Sequence, residues 1–375
     1  MSAMVSAIAT IATMGIGLSL SIPLLSLRME AAGYSARAIG LQTAMGAIAT
    51  FIGAPLVPQM IKRLGMRPFL LLSIVTGIIC LLGFGLIDTM DYWYPLRLIY
   101  GAAITGIFVA GEFAINALAP EGRRGMIMGI YGTALGLGFA TGPAVLTVTG
   151  IAGMAPFVAG AVLFGTAAIP ALLAGAAMPM PGAEQRGGAF AFLFKSPSAT
   201  FAGLAFGAVE TGVFGLLPVY ALHNGASAVG GAQLVGICIL GSVLFAIPLG
   251  LLSDRMDRRK LLLILGLVGF GGALLMPLVA PNFALFGVLL FVWGGLTGAL
   301  YPVGLAHLGS RHSGTDLASA NAAFVMLYSV GMLIAPPLLG SGLDLWNPQG
   351  FVAGIALIFG LYALLVAVRI RAARR

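Results

Sequence analysis

The chain has 375 residues, of which 60% are hydrophobic and only 8% are charged, and its mean hydropathy is +1.07. Soluble globular proteins carry about 25% charged residues, so this composition indicates a membrane protein and leaves no stretch for a soluble domain. The net charge of +8 would indicate nucleic-acid binding in a soluble protein. Here the basic residues lie in turns between apolar runs and at the C-terminus, so the charge reports membrane topology instead.

Apolar runs long enough to cross a membrane follow one another along the whole chain. A helical span needs about 20 residues, and the sequence predicts twelve spans, which makes this an all-α membrane protein. The first run lacks the basic start of a cleavable signal peptide, so we interpret it as a retained helix. The predicted spans cover residues 4–27, 38–61, 67–88, 92–119, 123–149, 152–178, 198–224, 229–252, 260–280, 282–308, 315–340 and 349–370.

Basic residues set the predicted orientation in the membrane. With both termini in the cytoplasm, all nineteen basic residues except Arg28, Arg37 and Arg97 fall in cytoplasmic turns or in the C-terminal tail. Short loops that carry Lys and Arg stay on the cytoplasmic side, so the opposite orientation is disfavoured. Arg28 and Arg37 flank the first span on the outer side and are local exceptions to this bias.

A polar interruption rich in Gly and Pro divides the twelve spans into two groups of six. It predicts a cytoplasmic linker at 179–197 between an N-terminal bundle at 1–178 and a C-terminal bundle at 198–375. The two halves also show a weak repeat, because Gly138 and Pro143 lie 193 residues before Gly331 and Pro336. Parallel repeats of this kind are built into one large class of secondary transporters.

The most charged turn lies between the eighth and ninth spans and has the sequence GLLSDRMDRRK at 250–260, with six charges in residues 254–260. An ordinary basic loop is one explanation of it. The sequence of this turn resembles the loop signature of the major facilitator superfamily. Asp257 stands where the family usually has Gly, and the matching residues are Gly250, Leu252, Ser253, Asp254, Arg255, Arg258 and Arg259. The resemblance implies the fold of two six-helix bundles and a cytoplasmic gate formed by Asp254 with Arg255 or Arg259. In the first-half copy Lys62 stands where the family has Asp, so we expect a gate in the second half alone.

A glycine pattern in the fifth span, Gly129, Gly138, Gly142 and Pro143, is similar to a signature of the family's exporter branches. These glycines recur near multiples of a helical turn and form one smooth face, and Pro143 bends the helix. The resemblance implies a hinge, and it favours export over import. Tight packing between static helices explains the same spacing equally simply.

Three ionisable residues fall inside predicted spans, where a charge is costly. Arg97, followed by Gly101, resembles the family's Arg-x-x-x-Gly signature of the fourth helix, although it lies near enough to the outer end to snorkel. Glu112 in the fourth span and Glu210 in the seventh lie deeper. An apolar surrounding favours a neutral carboxyl group, which then ionises when water reaches it. We therefore predict proton coupling through Glu210, Glu112 and Arg97; a purely structural role is the alternative.

The resembled fold lines its central cavity with helices one, four, seven and ten. On these spans the candidate lining residues are polar or aromatic, and aromatic rings can stack flat or cationic ligands. Helix packing is the alternative explanation for all of them. The predicted substrate-cavity residues are Asn116, Tyr220, Trp293, Thr297 and Tyr301.

Several short sequence segments resemble those of the small bacterial carriers of the YcaD type. Among them are Leu217-Pro218-Val219-Tyr220 and Tyr301-Pro302-Val303. Together with the residues above, they predict a proton-coupled secondary transporter of the bacterial inner membrane that works by alternating access. We expect export of a small organic or amphipathic compound by proton antiport. Proton-coupled import of a nutrient is the alternative, and a membrane-embedded enzyme or sensor is a more remote one. We expect a monomer in the lipid bilayer that needs no cofactor or metal and binds no nucleic acid.

Overall fold

The computed structural model describes residues 3–118, 124–173, 192–312 and 314–372. Fifteen α-helices occupy these ranges, and the described residues contain no strand. Short 3-10 turns at Ala54–Leu56 and Met90–Tyr92 join some of them. The helices are α1 (Ala3–Ala31), α2 (Ala36–Gly53), α3 (Val57–Leu64), α4 (Met66–Leu86), α5 (Trp93–Leu118), α6 (Arg124–Thr149), α7 (Ala155–Gly165), α8 (Ala168–Leu173), α9 (Pro197–His223), α10 (Ala228–Arg255), α11 (Arg258–Val279), α12 (Phe283–Gly298), α13 (Leu300–Gly309), α14 (Gly314–Leu345) and α15 (Gln349–Ala372).

These helices form twelve stretches that are long and apolar enough to cross a membrane. The twelve predicted spans are thereby confirmed, with shifts at their ends. The second span continues from α2 through a 3-10 turn into α3, and the tenth is divided into α12 and α13 at Ala299. The last five residues predicted for the sixth span, 174–178, lie outside the described residues.

Two turns show how the sequence ends one helix and starts the next. Gly65 separates α3 from α4 and has a φ of +86°, a backbone conformation that suits glycine because it has no Cβ. In the charged turn, Oδ1 of Asp257 accepts a hydrogen bond of 2.8 Å from the backbone N–H of Arg259. Asp257 is therefore the N-cap of α11, which explains an acid at a position where the resembled loop carries Gly.

By their contacts, the described residues form two compact units. Unit 1 contains those of Met1–Ala32 and Met45–Glu184, and unit 2 contains those of Gly33–Ala44 and Gln185–Arg375. The sequence analysis placed residues 33–44 with the first half, whereas their contacts group them with unit 2. Of the linker expected at 179–197, only residues 192–197 are described, so its limits stay a prediction.

The same helix contact occurs inside each unit. In unit 1, a Cβ on Gly138 of α6 would overlap the backbone of Ala12 on α1; in unit 2, a Cβ on Gly331 of α14 would overlap the carbonyl group of Leu204 on α9. The absence of side chains at these glycines lets two backbones touch. Gly331 follows Gly138 by 193 residues and Leu204 follows Ala12 by 192, so the sequence repeat corresponds to a repeated packing contact.

The start of α2 packs on the end of α14 within unit 2. Gly40 lies against the backbone of Pro336, and Gly340 lies against the backbone of Ala36. The carboxylate of Asp344 accepts hydrogen bonds from the backbone N–H groups of Ala36, at 2.8 Å, and Arg37, at 2.9 Å. Asp344 thus caps the N-terminus of α2 from another helix, satisfying two donors that a helix start leaves without internal partners.

Candidate functional site

Glu210 of α9 is held by a tyrosine from α14. The hydroxyl group of Tyr328 donates a hydrogen bond of 2.6 Å to Oε2 of Glu210. The helices approach closely enough for this bond because Gly207, one turn before Glu210, lies against the backbone of Tyr328, and Gly331 lies against that of Leu204. Glycines on both helices therefore place the phenol beside the carboxyl group.

An aromatic cluster adjoins this hydrogen bond; we define it as Phe206, Tyr301, Phe324 and Tyr328. The ring centroids of Tyr301 lie 5.5 Å from Phe206, 5.0 Å from Phe324 and 5.5 Å from Tyr328. Phe206 is also stacked on Tyr328 at 6.1 Å. Phe324 is buried, and the other three rings are partly exposed. The cluster joins Tyr301, a predicted cavity residue, to Glu210 through Tyr328.

An amide group lies on the same face of α14 as the cluster. Asn321 precedes Phe324 by three residues and Tyr328 by seven, a spacing that places all three side chains on one side of the helix. Oδ1 of Asn321 is buried and has no hydrogen-bond partner among the described residues. A buried acceptor without a partner is costly, and here it belongs to the helix face that carries two rings of the cluster.

Glu112 of α5 has a similar partner in unit 1. The hydroxyl group of Tyr131 on α6 donates a hydrogen bond of 2.9 Å to Oε1 of Glu112. Tyr131 is almost fully buried and Glu112 is partly exposed. Both acids singled out in the sequence are therefore hydrogen-bonded by a tyrosine of a neighbouring helix.

Arg97 of α5 is buried inside unit 1, with 2% of its surface exposed. Nη1 donates a hydrogen bond of 3.0 Å to Oγ of Ser21 on α1, and the guanidinium carbon lies 5.5 Å from the ring centre of Tyr100. The snorkelling alternative is therefore wrong, because protein surrounds the charge. Arg97 lies fifteen residues before Glu112 on one helix, a distance of about 22 Å along its axis, so the two do not form an ion pair.

The other predicted cavity residues have contacts within their own units. Trp293 is buried; its indole N–H donates to the carbonyl of Gly269 at 3.0 Å, and its ring meets Phe359 edge to face. Thr297 donates to the carbonyl of Trp293 along the same helix. Tyr220 is fully buried against Phe286 and Phe351. Packing thus accounts for Trp293, Thr297 and the ring of Tyr220, and their cavity role stays a prediction. The side chain of Asn116 lies outside the described part of α5.

The glycine face of α6 contacts α1 of its own unit. Besides Gly138 and its contact with Ala12, Gly142 lies against Ser19 and Leu20. This contact favours the packing explanation of the pattern. Pro143 lies within the helix. The contacts of Gly129 lie outside the part of the chain that the structure describes. The hinge formed by Gly129, Gly138, Gly142 and Pro143 stays a prediction.

In the charged turn, Asp254 forms an ion pair with Arg258, with Nη2 3.0 Å from Oδ1. The sequence analysis expected Arg255 or Arg259 as the partner. Asp254 lies in the last turn of α10 and Arg258 begins α11, so the ion pair spans the turn between these two helices. The gate role of Asp254, Arg255 and Arg259 stays a prediction.

Sequence reasoning missed Tyr131, Tyr328 and Asn321. The sequence contained a signal for the two tyrosines, because they lie in α6 and α14, the two helices that correspond to each other in the sequence repeat. Tyr131 lies two residues after Gly129, and Tyr328 lies three before Gly331. The sequence analysis considered only the glycines and prolines of these helices, and it therefore found the acids without their donors.

Comparison with known proteins identifies relatives over most of the chain. The family model described as Major Facilitator Superfamily matches residues 7–244 and 199–375. The chain is 25% identical over 343 residues to the uncharacterized MFS-type transporter YfkF of Bacillus subtilis (strain 168), which covers 90% of this chain and 86% of that protein. It is 23% identical over 335 residues to the uncharacterized MFS-type transporter YcaD of Salmonella enteritidis PT4, covering 88% and 85%.

Solved structures share the fold. The nucleoside transporter NupG, as its D323A mutant, superimposes with a TM-score of 0.78 at 17% identity and covers 99% of both chains. A bacterial homologue of the human lysosomal transporter Spinster, in an inward-facing and unoccupied conformation, gives a TM-score of 0.70 at 13% identity and covers 98% of this chain and 93% of that one. At these identities the likeness concerns the fold.

Proposed function

The chain belongs to the Major Facilitator Superfamily, and from this premise we propose that it is a proton-coupled secondary transporter working by alternating access. Its transporter relatives support membrane transport of a small molecule over an enzymatic function. We assign it to the bacterial inner membrane, with both termini in the cytoplasm. Export of an organic or amphipathic compound in exchange for protons is the direction we propose.

One observation carries the coupling proposal: the hydrogen bond of 2.6 Å between Tyr328 and Glu210. An unpaired carboxylate among apolar helices is costly. Glu210 is therefore neutralised either by a proton or by a positively charged group of the substrate. The phenol lowers the cost of the ionised state that must exist between these two, because hydrogen bonds to charged groups are stronger than neutral ones.

Because a proton and the substrate compete for the carboxylate of Glu210, each is released before the other binds, as proton antiport requires. When the proton leaves Glu210, the carboxylate attracts a cationic or donor group of the substrate; when the proton returns, that attraction is lost. The aromatic cluster offers partly exposed rings to the apolar part of the same molecule. The substrate we propose is a small organic compound with a flat apolar part and at least one donor group.

Proton-coupled import is the alternative, and transport in oriented vesicles separates the two. Purified protein is reconstituted with a trapped pH-sensitive dye, and a panel of flat organic cations, neutral amphipaths and nucleosides is added under an imposed pH gradient. Nucleosides enter the panel because one neighbour in fold is a nucleoside transporter. Antiport predicts that the substrate and protons move in opposite directions, whereas movement in the same direction would assign symport. Substrate transport that moves no protons would reject the coupling.

A further inference from the structure

Unit 2 contains a cavity of about 240 Å³ whose charged lining residues are all basic. We call it the basic cavity and define it by Lys195, Arg259, His307, Arg311 and Arg369. Ser196, Pro197 and Ser198, at the start of α9, complete the wall together with Ala372. Neither Glu210 nor any member of the aromatic cluster belongs to this lining, so the cavity is separate from the site described above.

The basic residues reach the cavity from four different parts of unit 2. Lys195 precedes α9, Arg259 lies in the first turn of α11, Arg311 follows α13, and Arg369 lies in the last turn of α15. A cytoplasmic bias of Lys and Arg explains that basic residues occur near span ends. Like charges repel at short range, so placing basic side chains from four elements around one cavity is unfavourable. The cytoplasmic bias alone does not explain this arrangement.

The acids of the neighbouring turn are already engaged. Asp254 pairs with Arg258, and Asp257 caps α11 through the backbone N–H of Arg259. Among the described residues that line the cavity there is no Asp or Glu. Four permanent cations therefore share this space, and an anion inside it would reduce their mutual repulsion.

The walls of the basic cavity are fixed by hydrogen bonds. Thr200 donates to the carbonyl of Leu193 at 2.8 Å, Oγ of Ser196 lies 3.0 Å from Nε2 of His312, and Tyr362 donates to the carbonyl of Ser198 at 3.0 Å. The segment that carries Lys195 is thereby attached to three helices or turns. The backbone of this segment therefore has little freedom left to lose when the site binds a ligand.

The chemistry of the lining favours a phosphate group over other anions. Guanidinium groups bind phosphate oxygens in pairs with well-defined geometry, and three arginines face the cavity here. The N-terminus of the long helix α9 adds the positive end of its dipole. A volume of about 240 Å³ is enough for one phosphate group.

We propose that the basic cavity binds a phosphate group, presented by an anionic lipid headgroup of the cytoplasmic leaflet or by a soluble phosphate. Basic pockets between membrane helices on the cytoplasmic side are suited to such headgroups. The bound group bridges the start of α9, the start of α11, the end of α13 and the end of α15. It therefore stabilises one end of unit 2, independently of whatever molecule the transporter carries.

Two binding measurements on the purified full chain test the site and identify the source of the phosphate. In the first, delipidated protein in neutral detergent is titrated with inorganic phosphate, with chloride at equal ionic strength as the reference, and the thermal unfolding midpoint is followed. In the second, native mass spectrometry compares retention of phosphatidylglycerol with that of phosphatidylcholine. Both are repeated on the double variant R311Q/R369Q.

The matched control is the double variant K260Q/R371Q, which removes two exposed basic residues of the same region that do not line the cavity. A third variant, R311K/R369K, keeps the charges but loses the paired geometry of the guanidinium groups. Unliganded R311Q/R369Q is expected to be at least as stable as the wild type, because it relieves repulsion in an empty cavity.

We expect the wild type and K260Q/R371Q to bind phosphate, phosphatidylglycerol or both. R311Q/R369Q is expected to bind at least about 10-fold more weakly, and R311K/R369K should be intermediate. A response to inorganic phosphate alone assigns a soluble source, and retention of phosphatidylglycerol alone assigns the lipid. Equal losses in R311Q/R369Q and K260Q/R371Q would overturn the site, since binding would then follow total charge. A wild type that responds to neither probe would overturn it as well.

Discussion

The hydroxyl group of Tyr328 lies 2.6 Å from Oε2 of Glu210, and this bond joins two helices whose backbones touch at glycines. The distance is in the short range typical of an O–H donor facing a carboxylate. It connects the acid to a ring of the aromatic cluster, which includes the predicted cavity residue Tyr301. The proposed proton site and the proposed ligand site therefore share one residue, Tyr328.

Replacing Tyr328 by Phe removes the donor and keeps the ring. Without the phenol the ionised form of Glu210 is less well stabilised, by about 1.5–3 kcal/mol for a hydrogen bond to a charged group. The rate of transport driven by a pH gradient should fall at least about 10-fold, while the protein still folds and inserts. Tyr362→Phe is the matched control, since its hydroxyl group bonds to the carbonyl of Ser198 instead. Equal rates for the two variants would remove Tyr328 from the coupling mechanism.

Replacing Gly331 by Ala should separate α9 from α14. The added Cβ would overlap the carbonyl of Leu204, and inserting an atom into tight packing costs about 1–3 kcal/mol. We expect a lower thermal unfolding midpoint and a weaker contact between Tyr328 and Glu210. Gly271→Ala is the control, because nothing lies within 4 Å of the added Cβ there and Ala favours the helix. A Gly331→Ala protein as stable as Gly271→Ala would contradict the packing described here.

Replacing Asp344 by Ala removes the cap of α2. The two backbone N–H groups of Ala36 and Arg37 lose their acceptor, and loss of an N-cap costs about 0.5–2 kcal/mol. Hydrogen exchange at the first turn of α2 should become faster, with a smaller change elsewhere in unit 2. Unchanged exchange at Ala36 and Arg37 would mean that the carboxylate does not protect these amides.

Replacing Asp254 by Lys tests the proposed gate. Its ion pair with Arg258 is partly exposed and joins the end of α10 to the start of α11, and exposed pairs contribute only about 0.2–1 kcal/mol. The unfolding midpoint should therefore change little, while the proposed gate predicts slower transport. A normal transport rate in this variant would mean that the turn is an ordinary basic loop.

The sequence was sufficient for the fold because the twelve spans depend on local apolar length. Through the resemblance, it also placed Glu210 and Tyr301 on the seventh and tenth spans, two of the helices expected to line the cavity. It did not indicate Tyr328, because the contact between Tyr328 and Glu210 depends on how two helices pack that are more than a hundred residues apart in the sequence. Trp293 was predicted as a cavity residue, but its indole N–H donates a hydrogen bond to the carbonyl of Gly269. Spacing along a helix does not distinguish such a packing role from ligand binding.

The most direct test of the account is pH-driven transport by Glu210→Gln in proteoliposomes, with Asp316→Asn as the matched exposed control. Gln has nearly the shape of Glu but neither binds nor releases the coupling proton. We expect Glu210→Gln to insert normally and to lose transport driven by the pH gradient, and Asp316→Asn to keep it. Transport by Glu210→Gln that still responds to the pH gradient as the wild type does would contradict the claim that Glu210 carries the proton.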